Sequence, residues 1–213
     1  MKTGGHILTA LCVLTLLCAC KESLKTLYAS QETKIESLVT AQLNANENYR
    51  VVNRGGSTRL VVQEGEGDEL TDDKLVSFYY AGYVLSGSSL PSASTLFATN
   101  SEEVATAARW DLTKADGSQD ASEDASADAS ADASADSTEE EPDSRYEVLT
   151  VKLGEAGFVD GLYQGLSGVR GGEECWIFFS GKYGFGESKV GTIPANSAIA
   201  YHIWVHSVQS DEI

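Results

Sequence analysis

Large apolar side chains in loops are the residues of this sequence that most need a chemical account. Phe158 and Val159 lie between glycines in the stretch GFVDGLYQGL, Gly157 to Leu166, and Phe185 and Ile193 lie in the glycine-rich GKYGFGESKVGTIPANSA, residues 181–198. A large apolar residue beside a loop is stable there when something covers it. Phe158, Phe185 and Ile193 therefore favour a pocket over plain core. Polar catalysis has little to work with. Cys175 stands in an apolar run and reads as a small buried hydrophobe that can build no metal site. His202 and His206 share the strand face opposite Tyr201 and are expected at the surface. The chain shows no Ser/His/Asp or Cys/His set, so the available chemistry is that of an apolar pocket that binds and excludes water.

Such a pocket needs elements to hold it. YRVVNRGGSTRLVVQEGEGDEL reads as two strands around a turn at Gly55–Gly56, and KLVSFYYAGYVL as a strand with Val76, Phe78 and Tyr80 on one side. SEEVATAARW predicts a short helix from Ser101, with Glu102 and Glu103 favourably placed in its first turn. YEVLTVKLG predicts a strand with Leu149, Val151 and Leu153 alternating. EECWIFFS predicts another, with Cys175, Ile177 and Phe179 on one face, and IAYHIWVHSV a last one with Ile199, Tyr201, Ile203 and Val205 on one face. The expectation is an α+β fold: a mostly antiparallel sheet of about five strands, solvated on one side, with the helix at Asp160–Leu166 covering the other. Val159, Leu162, Leu166 and Val169 form that helix's apolar stripe, and Gly161 and Gly165 permit close approach to the strands.

The chain has 213 residues and a formal charge of −17, which argues against a nucleic-acid partner. Eleven acidic residues and no basic one fall between Asp116 and Asp143; taking those eleven from −17 leaves −6 for the rest, ordinary for a soluble domain. This tract repeats Ala-Ser-Ala-Asp three times from Ala125 to Asp136. It has no large apolar residue to offset chain entropy, so 116–144 is expected to be disordered within an insertion spanning 101–145. Spaced aspartates suggest calcium, but the repeat lacks the turn glycines that calcium loops use.

The N-terminus MKTGGHILTALCVLTLLCAC has a basic start and an apolar run from Ile7 to Leu17, the pattern of a signal peptide over 1–19. Leu17, Ala19 and Cys20 resemble the lipobox of bacterial lipoproteins, in which the cysteine is lipidated; the alternative is an ordinary cleaved signal with a stray cysteine. Lys21 is not the aspartate of an inner-membrane retention signal, which favours the outer membrane of a Gram-negative envelope. Residues 20–50 then form a lipidated N-terminus and a helical tether in which Leu24, Leu27, Tyr28, Ile35, Leu38 and Val39 recur at three- and four-residue steps. Of the four cysteines only Cys175 lies in the body, so the domain at 51–213 has no internal disulfide.

YAG at Tyr80–Gly82, LF at Leu96–Phe97, GFVDGLYQGL, GGE at Gly171–Glu173, YGFG at Tyr183–Gly186 and IPANSAIAYHIWV at Ile193–Val205 occur in the order and spacing of the FK506-binding-protein (FKBP) type peptidyl-prolyl isomerases. The resemblance runs from about Arg59 to Val208 and is broken by the insertion. It implies a twisted antiparallel half-barrel wrapped around one short helix. It also implies a pocket lined by Tyr80, Phe97, Leu149, Phe158, Val159, Leu162, Phe185, Ile193 and Tyr201, with the Val159 N–H donating to a ligand carbonyl. Of these, Tyr80, Leu149, Leu162 and Tyr201 face the core in any such sheet.

The implied activity is isomerisation of X–Pro bonds in proline-containing unfolded or exported polypeptides, without cofactor, with the membrane engaged through the N-terminal lipid. A non-catalytic chaperone or peptide-binding lipoprotein would use the same pocket. The sequence departs from the family pattern at Ala98, where aspartate is usual, at Leu162, where tryptophan is usual, and at Phe185, where tyrosine is usual. The first and third remove polar groups that contact ligands, which argues against tight macrolide binding and leaves the apolar character intact.

Overall fold

The computed structural model describes residues 5–109 and 144–210, with side chains from residue 22 onward. The expected acidic disorder at 116–144 falls almost wholly outside these residues, as does the side chain of Cys20. The helix α1 (Gly5–Ala45) leads into β1 (Arg50–Arg54) and β2 (Ser57–Gln63), which pair across the Gly55–Gly56 turn. Then follow β3 (Lys74–Leu85), β4 (Leu96–Thr99) and α2 (Glu102–Ala108). After the insertion come β5 (Leu149–Lys152), α3 (Asp160–Leu166), β6 (Glu174–Phe179) and β7 (Ala198–Ser210). The fold is α+β.

Every strand pairing is antiparallel, in the order β1-β2-β6-β7-β3-β4, with β5 also on the outer edge of β3. The sheet thus has seven strands instead of about five. β4 is four residues long, too short for an alternating pattern to announce it. β5 stops one residue early: Leu153 begins a tight turn and is fully buried there. α2 begins where the sequence places it, with the Ser101 hydroxyl accepting from Val104 N and Glu102 and Glu103 in the first turn.

α3 lies in the concave face of the sheet. Leu162, Leu166 and Val169 bury against Phe78, Cys175, Ile177, Phe179, Ile199, Ile203 and Val205. The two helix glycines set the distance. A Cβ on Gly161 would fall 2.2 Å from the Phe179 ring, and one on Gly165 2.2 Å from Ile177 Cγ2, so any side chain at either position forces helix and sheet apart.

The other face is not solvated. Leu60, Ala81, Tyr83, Leu96, Trp176, Phe178, Ala198 and Ala200 bury there beneath Ile35, Leu38 and Val39 of α1. β6 is apolar at both alternating sets, so an uncovered second face would expose Trp176 and Phe178. The tether is therefore a packed layer of the domain, while Leu27 on the same helix stays exposed. His202 also departs from its expected surface position. It lies between Trp176, ring centroids 4.2 Å apart, and Trp204, 3.9 Å apart, and its Nε2 meets Glu174 Oε1 at 2.8 Å. Burial lowers its pKa, and Glu174 opposes that. His206 is exposed as expected. Among the described residues no helix is long and apolar enough to cross a membrane.

Candidate functional site

The nine residues singled out from sequence all lie in or against the core cluster around α3. Leu162, Ile193 and Tyr201 are buried within the cluster, and Tyr80, Phe97, Leu149, Phe158, Val159 and Phe185 pack against it half-exposed.

The aromatic rings form a connected wall. Phe158 meets Phe78 edge-on, centroids 6.3 Å apart; Phe78 meets Tyr80 at 6.2 Å; Tyr80 meets Tyr201 at 6.2 Å; and Tyr201 receives the edge of Phe97 at 5.8 Å and 87°. Such geometries are favoured by the ring quadrupoles. Gly82, in the YAG segment, makes the last contact possible: a Cβ there would lie 2.7 Å from the Phe97 ring and 2.9 Å from Tyr201.

Phe158 and Val159 stand at the entrance of α3. Val159 is its N-cap, in extended conformation, and its carbonyl accepts from Leu162 N and Tyr163 N. Its own N–H has no hydrogen-bond partner among the described residues, which leaves one backbone donor at the entrance of α3. On the opposite rim, the loop between β6 and β7 carries Phe185 and Ile193. The backbone of Ile193 exchanges hydrogen bonds with Val190 at 2.9 and 3.1 Å around Gly191, whose φ is +54°.

Burial holds the phenol of Tyr80 above its ordinary range; Tyr201 is raised further by burial and then by Tyr80. Both are neutral at any physiological pH. Cys175, fully buried beneath α3, is pushed up by burial and next by Glu173, so it is no thiolate nucleophile. The arrangement offers an uncharged, aromatic, partly water-excluding surface with a backbone donor at its edge.

Three holding residues escaped the sequence reading. Asn100 is buried, accepts from Tyr80 N at 2.7 Å, and donates to Phe78 O at 3.3 Å and Glu147 O at 3.0 Å. It ties β3 to both ends of the insertion, beside Tyr80 and Leu149. Thr99 Oγ1 donates to Tyr80 O at 2.7 Å, so the Tyr80 peptide is fixed on both sides. Arg59, also buried, reaches from β2 to the C-terminal end of α3, donating to the carbonyls of Gly165, Ser167 and Gly168. A polar residue ahead of a helix is an ordinary loop signal, and nothing in sequence distinguishes these from surface residues. Asn100→Ala is expected to lower stability by about 2–3 kcal/mol, because it orphans buried backbone groups on two strands; the midpoint of chemical denaturation reads it.

Residues 117–206 match the family described as FKBP-type peptidyl-prolyl cis-trans isomerase. Over that range the chain is similar to an FKBP-type domain. The enzyme class that the match names is peptidyl-prolyl cis-trans isomerase. The matched range leaves out β1 to β4, which complete the same sheet and bring Tyr80 and Phe97 against the core cluster around α3. No curated protein matches the sequence. Among solved structures, FkpA from Escherichia coli is similar at 15% identity, with a TM-score of 0.51 over 99% of this chain and 76% of that one. The three FKBP domains of wheat FKBP73 are similar at 16% identity, with a TM-score of 0.49 over 76% of this chain. This chain spans about half, 52%, of the wheat chain. At 15% identity the likeness to FkpA is one of fold.

Proposed function

We propose that this protein isomerises X–Pro bonds of exported polypeptides, held by a lipid on Cys20 to the outer membrane of a Gram-negative cell. The observation that carries the reading is the aromatic wall of half-exposed Tyr80, Phe97 and Phe158 with buried Tyr201, together with a Val159 N–H that has no partner among the described residues.

Twisting an X–Pro bond breaks amide resonance, at a barrier of about 18–20 kcal/mol. The twisted amide is less polar than either planar form. A wall of neutral rings favours it and excludes the water that stabilises the resonance-polarised carbonyl. The Val159 N–H holds the carbonyl of the bound chain in register. Lowering the barrier by about 4 kcal/mol gives roughly a thousandfold acceleration, with no acid, base or metal. A protease-coupled assay on an X–Pro peptide tests this: acceleration at micromolar protein supports it, and the spontaneous rate alone overturns it.

A second reading, a non-catalytic chaperone using the same pocket, is favoured by Ala98 and Phe185, which supply no polar group where the family pattern has one. It predicts suppressed aggregation of a proline-free client without isomerase activity. The envelope anchor rests on the Leu17-Ala19-Cys20 pattern. In cells fed labelled palmitate, Cys20→Ser is expected to abolish incorporation into this protein; undiminished labelling sinks the anchor.

A further inference from the structure

The rim loop that carries Phe185 and Ile193 joins β6 to β7 and is held largely by bonds internal to itself. Gly184 N and Gly186 N donate to Gly181 O, Ser188 N donates to Phe185 O, and Val190 and Ile193 pair with each other. Its two ends meet. Asn196, at φ +59°, donates from N to Gly186 O at 2.6 Å, and a Cβ on Gly181 would fall 2.7 Å from the carbonyl carbon of Asn196. What fixes those ends from outside the loop is α1. The amide of Gln31 donates from Nε2 to Asn196 O at 2.7 Å and accepts at Oε1 from Gly181 N at 2.9 Å. One side chain thus bridges both ends of the loop. Tyr28, one turn earlier, donates its hydroxyl to Asn196 Oδ1, and Ser180 Oγ donates to Glu32 Oε1 at 3.2 Å. Ile35, Leu38 and Val39 anchor the same helix in the core beneath the sheet.

We propose that Gln31 is a positioning residue for the pocket: by clamping Gly181 to Asn196 it sets where Phe185 and Ile193 stand, so that docking of the N-terminal helix controls how tightly the pocket holds a peptide. This rests on the FKBP-type pocket being the binding site. The geometry separates the role from that of a general helix contact. The helix is already held by its apolar residues, whereas the amide satisfies one donor and one acceptor that the loop cannot satisfy itself. A carboxylate at the same place would keep the bond from Gly181 N and set an acceptor against the Asn196 carbonyl. An aliphatic side chain would lose both bonds.

The full chain, its Gln31→Leu, Gln31→Glu and Tyr28→Phe variants, and Lys34→Ala as a control on the exposed face of α1 are compared by amide hydrogen exchange and by steady-state kinetics on an X–Pro peptide. Gln31→Leu is expected to speed exchange across residues 181–196 about tenfold, the size of two ordinary hydrogen bonds lost. It is also expected to raise KM about fivefold with kcat within twofold. Gln31→Glu follows it, Tyr28→Phe gives a smaller change of the same kind, and Lys34→Ala gives none. Unchanged exchange in Gln31→Leu overturns the proposal, and so does faster exchange with unchanged KM. A purely structural role would lower the melting temperature without a KM-selective effect. Should the unmutated chain show no isomerase activity, the isomerase reading falls separately, and the dissociation constant for the same peptide replaces KM as the deciding measurement.

Discussion

Replacing Phe158 with aspartate is expected to lower kcat/KM on an X–Pro peptide at least a hundredfold while leaving the sheet folded. The first part follows from the chemistry. In the proposed mechanism the pocket favours a less polar twisted amide, and a carboxylate at its entrance brings charge and bound water to the place from which both must be absent. A hundredfold loss is about 2.7 kcal/mol of transition-state stabilisation, within what one misplaced charge in a partly desolvated site can cause. The second part follows from position. Phe158 is half-exposed, lies outside α3, and touches the core through the edge of Phe78. The new carboxylate can turn to solvent, so the stability lost is that of a partly buried ring, roughly 1–2 kcal/mol. Phe158→Leu is the companion: it keeps the apolar surface and should retain activity within about tenfold. Kinetics and circular dichroism on both variants decide the matter. Equal loss in the two would point to shape, and a folded aspartate variant with full activity would remove Phe158 from the site.

The largest effect on stability is expected at Arg59. Its guanidinium is 5% exposed and faces Glu173, 1% exposed, at 3.2 Å, while also donating to three carbonyls at the end of α3. Arg59→Leu leaves a buried carboxylate without its counter-charge and uncaps the helix that fills the barrel, at a cost of about 3–5 kcal/mol. The loss should depend on pH. Burial already holds Glu173 above its ordinary range against the pull of Arg59. The folded state therefore binds that proton more tightly than the unfolded chain. The group's contribution to stability falls as pH rises from the ordinary value of 4.5 to the raised folded value. Without Arg59 the folded value climbs further, and the window widens upward. The deficit of Arg59→Leu against the unmutated protein should be larger at a neutral than at an acidic pH, because falling pH neutralises the buried carboxyl. Denaturation midpoints at the two pH values read this, and a deficit unchanged between them would mean that the helix-capping bonds carry the effect. The double variant Arg59→Leu, Glu173→Leu should recover part of the loss, since no charge then remains buried.

Much of the site was written in local pattern. Period-two alternation placed Cys175, Ile177 and Phe179 on one face of β6 and Ile199, Tyr201, Ile203 and Val205 on one face of β7, and all seven lie in the core around α3. The three-and-four spacing of Leu162, Leu166 and Val169 determined which side of α3 faces inward, and the pair Gly161 and Gly165 announced a close approach that the Phe179 and Ile177 contacts confirm. These signals are legible because each states a demand that the residue's own neighbours impose: burial on one face, or space where a side chain will not fit.

What only the tertiary structure decided are relations between segments far apart in the chain. That α1 covers the second face follows from Trp176 and Phe178 needing shelter, but nothing in α1 names its partner. His202 reads as a surface residue until Trp176 and Trp204 close over it from an adjacent strand and from its own. Asn100, Arg59 and Gln31 are polar residues whose value lies in carbonyls and amides 47, 106 and 165 positions away. A hydrogen bond to a distant backbone leaves no periodicity behind, because it depends on where one atom of a folded chain happens to stand. The sequence by itself determined the strands other than β4, the short helix and the apolar residues that gather around it. The fold alone assembled the polar clamps that hold them in place.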